Sequence, residues 1–111
     1  MLRWSVLALS LIIASSGLAF APTKASAASA AEACGTLGEI GGTIMESRQK
    51  GVPLNALIEI IRNSGAGELT DLYLEIVRLA YQAPIAPSDD VKAAYIRAFR
   101  GAVEKSCLQS L

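Results

Sequence analysis

Four segments of the chain carry apolar residues at helical spacing, and turn-forming residues separate them. The pattern predicts helices over about 31–50, 53–63 and 68–82, and a fourth from a cap at Ser88 to Cys107. Gly51 and Pro53 end the first helix and open the second, and Asp89 and Asp90 suit the first turn of the fourth. The residues expected to face the core are Cys34, Leu37, Ile40, Ile44, Met45, Leu54, Leu57, Ile58, Ile61, Leu69, Leu72, Tyr73, Ile76, Val77, Ala80, Val91, Ala94, Tyr95, Ala98, Phe99, Ala102 and Val103.

No segment alternates in the manner of a strand, and no stretch repeats. The predicted fold class is therefore all-α, with four short helices in an antiparallel bundle closed by one disulfide. In an up-down-up-down bundle the first and last helices are antiparallel neighbours. That arrangement places Cys34 beside Cys107 without strain.

The amino terminus has the pattern of a cleavable signal peptide. One positive charge at Arg3 precedes an apolar run from Trp4 to Ala21, and Ala25-Ser26-Ala27 offers small side chains to a signal peptidase. We expect cleavage after Ala27, which divides the chain into a signal peptide at 1–27 and a small helical domain at 28–111. The alternative is an uncleaved membrane anchor, which Ser15, Ser16 and Gly17 disfavour.

Charge argues against nucleic acid as a partner. The chain has 10 basic and 10 acidic residues, and removal of Arg3 and Lys24 leaves 8 against 10, a net charge of −2. Neither a basic footprint for nucleic acid nor a polybasic membrane patch remains. We therefore expect no nucleic-acid partner and no membrane association after cleavage.

The two cysteines lie near the two ends of the predicted domain. In an oxidising compartment, Cys34 and Cys107 most simply form one bridge, and the alternative is a pair of reduced structural thiols. A redox role would favour a close pair such as C-x-x-C, which the chain lacks. The bridge is interpreted as a structural link.

Four glycines crowd the first helix: Gly35, Gly38, Gly41 and Gly42. Each costs about 1 kcal/mol relative to alanine in a helix interior, which suggests a neighbour that must come close. The preferred interpretation is packing against Ala94, Ala98 and Ala102 of the fourth helix. The alternative is a homodimer face or docking groove, with Gly38, Gly41 and Gly42 as partner contacts.

Two arginines, Arg48 and Arg97, have no acidic residue three or four positions away. A guanidinium suits recognition of carboxylate or phosphate, so both are candidate partner or ligand contacts. The bundle register, however, brings Arg48 towards Asp89 and Asp90. The preferred prediction for Arg48 is therefore a tertiary salt bridge.

The composition offers little support for catalysis. The chain has no histidine, and no serine has a visible activating partner, so we predict no enzyme activity and no catalytic residue. Metal and cofactor sites are likewise not predicted, because the thiols are committed to a bridge. The alternatives kept open are a carboxylate enzyme using Glu39 or Glu68, and a carrier whose pocket is lined by Tyr81, Tyr95 and Phe99.

One composite motif marks the chain. Arg48-Gln49-Lys50-Gly51-Val52-Pro53-Leu54 is followed by Ala80-Tyr81-Gln82-Ala83-Pro84, and Cys34 and Cys107 frame both strings. This pattern resembles a group of small, uncharacterised exported helical proteins of bacteria. The resemblance implies a bacterial source and a periplasmic or secreted location, and it carries over no catalytic or binding role.

The sequence as a whole favours a protein that works by binding. The leading hypothesis is an interaction or accessory module of the cell envelope, with an unknown protein partner or a second copy in a homodimer. A large closed cavity lined by the three aromatics would favour the small-molecule carrier instead. An exposed apolar patch would favour the interaction module.

Overall fold

A computed structural model describes residues 29–111, and within them the fold is all-helical. Helix α1 covers 29–49, α2 covers Leu54–Arg62, α3 covers Thr70–Ala80 and α4 covers Asp89–Gln109, with a short 3₁₀ helix at Gly67–Leu69 leading into α3. Residues Cys34–Leu111 form one compact unit, and helical residues 29–33 belong to a separate unit. The signal peptide predicted at 1–27 lies outside the described residues.

The helix boundaries follow the punctuation in the sequence. Gly51 has a φ of +84°, and α1 ends there as the Gly51 N–H bonds the Arg48 carbonyl at 3.0 Å and the Val52 N–H bonds the Ser47 carbonyl at 3.0 Å. These two bonds satisfy carbonyls at the end of the helix, and glycine is the residue that adopts this backbone without strain. At the start of α4, the Ser88 hydroxyl accepts the Val91 N–H at 3.4 Å, which confirms the predicted cap.

The hydrophobic core lies where α1 meets α2 and α3. Its buried members are Ile44, Met45, Leu57, Ile61, Ile76, Val77 and Ala80. Helix α4 adds a half-buried stripe to this core through Tyr95, Ile96, Phe99 and Val103. None of the helices within residues 29–111 combines the length and the apolar character needed to cross a membrane.

Helices α1 and α4 run antiparallel and approach each other closely through the glycines of α1. A Cβ added to Gly41 would lie 2.9 Å from Cγ2 of Val103, and one added to Gly38 would lie 3.0 Å from Cβ of Glu104. Real Cβ atoms essentially never come as close to a neighbour as the first of these distances. The glycines therefore allow a helix contact that no other residue would permit.

The structure confirms that the glycines face the fourth helix but corrects the residues they meet. Ala94, Ala98 and Ala102 are exposed, and the contacts come from Arg100, Val103 and Glu104. Cys107 faces α1, and steps of three or four residues back from it reach 103, 104 and 100 rather than the alanines. The alternative interpretation of Gly38, Gly41 and Gly42 as partner contacts does not hold, because α4 of the same chain occupies that face.

A disulfide joins Cys34 to Cys107, and no free cysteine is found in the part of the chain that the structure describes. Cys34 is fully buried and its Cα lies 5.4 Å from that of Cys107, as the antiparallel arrangement predicts. The bridge spans 73 residues, and closing a loop of that size lowers the entropy of the unfolded chain by about 4 kcal/mol in the chain-entropy account. One end of the α1–α4 pair is thus covalently fixed.

Several residues expected in the core are exposed instead. Leu54, Leu69, Leu72 and Val91 each keep more than a third of their surface in solvent. Helical spacing identifies the apolar side of a helix but does not show how far a neighbour covers it. These exposed leucines matter for the binding surfaces described below.

The Gly41–Val103 contact predicts opposite effects at two glycines. Gly41→Ala should lower the free energy of unfolding by about 1–3 kcal/mol, because the added methyl overpacks the α1–α4 contact. Gly101→Ala should raise it by up to about 1 kcal/mol, because a Cβ there meets no atom within 4 Å and alanine favours the helix. Denaturant unfolding measures both variants.

Val103→Ala serves as the control, since it should recover part of the loss in the Gly41→Ala background. A Gly41→Ala protein as stable as Gly101→Ala would contradict the close contact.

Candidate functional site

The α3–α4 loop is held against the end of α1 by a buried glutamine. Gln49 is only 3% exposed, its Nε2 donates to the Pro84 carbonyl at 3.0 Å, and its Oε1 accepts the Ala86 N–H at 2.8 Å. The side-chain amide offers one donor and one acceptor to the loop backbone, as a neighbouring strand would. The loop is thereby fixed although it contains two prolines, Pro84 and Pro87, which have no N–H to donate.

Arg48 and Tyr81 hold the same loop from the adjacent position. The Arg48 Nε donates to the Ala83 carbonyl at 2.9 Å, and the guanidinium lies over the Tyr81 ring at 5.1 Å from its centroid. The Tyr81 hydroxyl in turn donates to the Val52 carbonyl at 2.6 Å. Partial burial raises the pKa of Tyr81 because it disfavours the phenolate, and the nearby Arg48 charge opposes this shift without cancelling it. The phenol is therefore protonated and able to donate at neutral pH.

We name this arrangement the loop clamp: the side chains of Arg48, Gln49 and Tyr81 with the backbone groups that they bond. The predicted salt bridge from Arg48 to Asp89 or Asp90 is wrong. The loop approaches the last turn of α1 more closely than the first turn of α4 does, so the Ala83 carbonyl takes the guanidinium. Both strings of the motif in the sequence supply clamp residues.

Gln49 was not among the candidate residues from the sequence. A signal was present, because Gln49 lies one helical turn after Met45 on the inner side of α1 and is the polar residue in an otherwise apolar stripe. A buried amide needs partners, and this one finds them 35 and 37 residues away. Sequence spacing alone does not identify partners at that separation.

The remaining candidates are dispersed. Arg97 is exposed on α4, and no hydrogen bond or ion pair joins it to another residue of the described part. Tyr95 packs against the core, Tyr81 belongs to the loop clamp, and Phe99 lines a groove between α3 and α4. The three aromatics thus do not line a common cavity in the described structure.

The largest concave surface of the described residues is this α3/α4 groove, of about 640 Å³ and open to solvent. Leu72 and Leu79 form its wall on α3, at 42% and 48% exposure, and Ala102 and Ser106 line its α4 side. Leu37 of α1 lies at its base, and the Cys107 end of the disulfide borders it. The groove exists because α1 lies between α3 and α4, which make few direct contacts with each other.

Two smaller grooves flank α1. One of about 410 Å³ lies between α1 and α2 and includes Glu39, Thr43 and Tyr73, and one of about 320 Å³ near the loop clamp includes Glu46, Lys50 and Asp89. Glu46 and Lys50 pair at 2.8 Å on the solvated surface. Local or long-range ion pairs therefore take up charges at both grooves, since Glu39 also pairs with Arg100 at 3.3 Å.

Chemistry-bearing groups do not converge within residues 29–111. No group of three or more histidine, cysteine, aspartate or glutamate residues there could hold a metal ion. The two carboxylates weighed for catalysis lie on different elements: Glu39 on α1 in its ion pair, and Glu68 exposed in the 3₁₀ helix. The built features are the loop clamp, which is structural, and the α3/α4 groove, which is a surface for binding.

Comparisons with protein-family models, with curated proteins and with solved structures found no match.

The loop clamp predicts unequal effects at two glutamines. Gln49→Ala should lower the free energy of unfolding by about 2–3 kcal/mol, because it leaves the Pro84 carbonyl and the Ala86 N–H buried without partners. Gln82→Ala, at an exposed position in the same loop, should change it by less than about 0.5 kcal/mol. Equal losses in thermal or denaturant unfolding would show that Gln49 does not hold the loop.

Arg48 should be coupled to Tyr81 and not to the acids at the start of α4. In a double-mutant cycle, Arg48→Ala and Tyr81→Leu should be non-additive by about 0.5–1 kcal/mol, because each removes the same cation–π contact. The cycle of Arg48→Ala with Asp89→Ala and Asp90→Ala serves as the comparison and should be additive. Coupling to the aspartates instead would reinstate the salt bridge.

Proposed function

We propose that this chain is an exported, non-enzymatic helical protein of the bacterial cell envelope that acts as an interaction or accessory module. Two features support export. The amino-terminal sequence has the charge, the apolar run and the Ala25-Ser26-Ala27 site of a signal peptide. The Cys34–Cys107 bridge is compatible with an oxidising compartment such as the periplasm, where such bonds persist.

The observation that carries the binding role is the α3/α4 groove. Leu72 and Leu79 stay nearly half exposed on its wall although the same helix buries Ile76 and Val77 completely or almost so. Contiguous apolar surface on a small domain typically marks a site that another molecule covers. We therefore assign the groove as the face through which the module contacts another protein chain.

The carrier hypothesis is less well supported. It predicts a closed cavity lined by Tyr81, Tyr95 and Phe99, whereas two of these aromatics are held in the loop clamp and the core. Phe99 alone lines the groove, which is open along one side. An open apolar surface favours a macromolecular partner over an enclosed ligand.

A site-specific cross-linking experiment tests both parts of this proposal. The full chain is expressed in a bacterium with a photo-reactive amino acid at Leu79, and the periplasmic fraction is irradiated. We expect a discrete adduct with one protein, identified by mass spectrometry, because the groove is the contact face. The unreacted chain should have the mass of a protein that begins at Ala28.

Ile85 provides the matched control position, since it is 47% exposed against 48% for Leu79 and lies in the α3–α4 loop. The adduct should be absent from position 85 and should be lost when Leu72→Asp is added to the Leu79 cross-linker. Equal adducts at both positions would reject the groove as the contact face. A full-length chain retained in the inner membrane would reject export.

A further inference from the structure

The α3/α4 groove carries a ridge and a recess side by side on the same surface. The ridge is formed by Leu72 and Leu79 of α3, which are two helical turns apart and about 10 Å from each other along the axis. The recess lies beside Phe99 along α4, where the lining side chains are small: Ala102, Ser106 and Ser110. Leucine side chains are thus displayed next to a surface with room to receive leucine side chains.

Such a surface is complementary to itself. In a two-fold dimer the same patch is used by both copies, so a residue that contacts a second residue is contacted in return by its symmetry mate. If α3 crosses α3 of a second copy antiparallel about an axis near 75–76, Leu72 of each copy lies opposite Leu79 of the other. Each pair of leucines then also lies over the small-residue recess of the opposite α4.

The charges of α3 agree with the same arrangement. Glu75 and Arg78 lie between the two leucines in sequence and pair with each other at 2.7 Å, with more than half of each side chain exposed. About the same two-fold axis, Arg78 of one copy lies two residue steps along the axis from Glu75 of the other. The four charges alternate in sign, so the approach of a second copy meets opposite charges next to each of its own.

The overall charge also permits self-association. Without Arg3 and Lys24 the formal balance is 8 basic against 10 acidic residues, a net charge of −2, and long-range repulsion between copies is small. A groove with a wall of one sign would instead require a partner of the opposite sign. This groove presents one acid and one base, which its own copy matches.

We propose that the occupant of the α3/α4 groove is a second copy of this chain, in a two-fold dimer that pairs Leu72 of each copy with Leu79 of the other. This inference rests on the proposed function, because it takes the groove as the contact face and names the partner. Dimerisation covers the exposed leucines of α3 in both copies at once. The Glu75–Arg78 pairs set the register of the two helices.

The test is the molar mass of the protein purified after expression of the full chain, measured by sedimentation velocity over about a hundredfold concentration range, since assembly depends on concentration. We expect a monomer–dimer equilibrium. Leu79→Asp should raise its dissociation constant about tenfold or more, because the loss of one buried leucine contact has that magnitude. Ile85→Asp, at matched exposure in the loop, should leave it unchanged.

Charge exchange gives a second readout that does not disturb the apolar core. Glu75→Arg and Arg78→Glu should each weaken the dimer, because each places like charges around the axis. The exchanged double variant should restore the wild-type dissociation constant. Circular dichroism on every variant separates loss of the dimer from loss of the fold.

A wild-type protein that is monomeric at every concentration overturns this inference, and so does a dimer that Leu79→Asp and Ile85→Asp weaken equally. The two proposals fail separately. A monomer that still gives a Leu79-dependent adduct with a different protein in the periplasm overturns the dimer and leaves the interaction module standing. A monomer without any such adduct overturns both.

Discussion

The close contact between α1 and α4 depends on glycines that leave no side chain between the two helices. Gly38 and Gly41 let Val103 and Glu104 of α4 approach the backbone of α1. The disulfide fixes one end of this pair, and the loop clamp fixes the other. Helix α1 is therefore the central element, with α4 on its glycine face and α2 and α3 on its apolar face.

The α3/α4 groove follows from that central position of α1. Because α1 separates α3 from α4, the leucines on the outer side of α3 have no helix of the same unit to cover them. Structural and binding surfaces are thus divided between the two ends of the unit. Arg48, Gln49 and Tyr81 hold the end near the α3–α4 loop, and the groove lies towards the disulfide end. The motif in the sequence marks the clamp and not the binding face.

The helices could be predicted from the sequence because their limits depend on local chemistry. Gly51 and Ser88 act within one turn of their own positions, and the structure confirms both boundaries. The face of α4 could not be chosen in this way, because alanines and larger apolar residues occupy different sides of that helix. The loop clamp was missed for a related reason: Gln49 bonds a loop 35 to 37 residues away, and nothing near it in sequence indicates that loop.

The position of the two cysteines makes the compact unit almost entirely a covalent ring. Cys34 is its first residue and Cys107 lies four residues before its last, so every connection between helices falls inside the closed loop. A protease that cuts once, for example at the exposed Gly65, leaves both pieces attached through sulfur. Release of a fragment requires a second cut or a reductant. A protein built in this way tolerates an isolated nick in any of its turns without losing part of its chain.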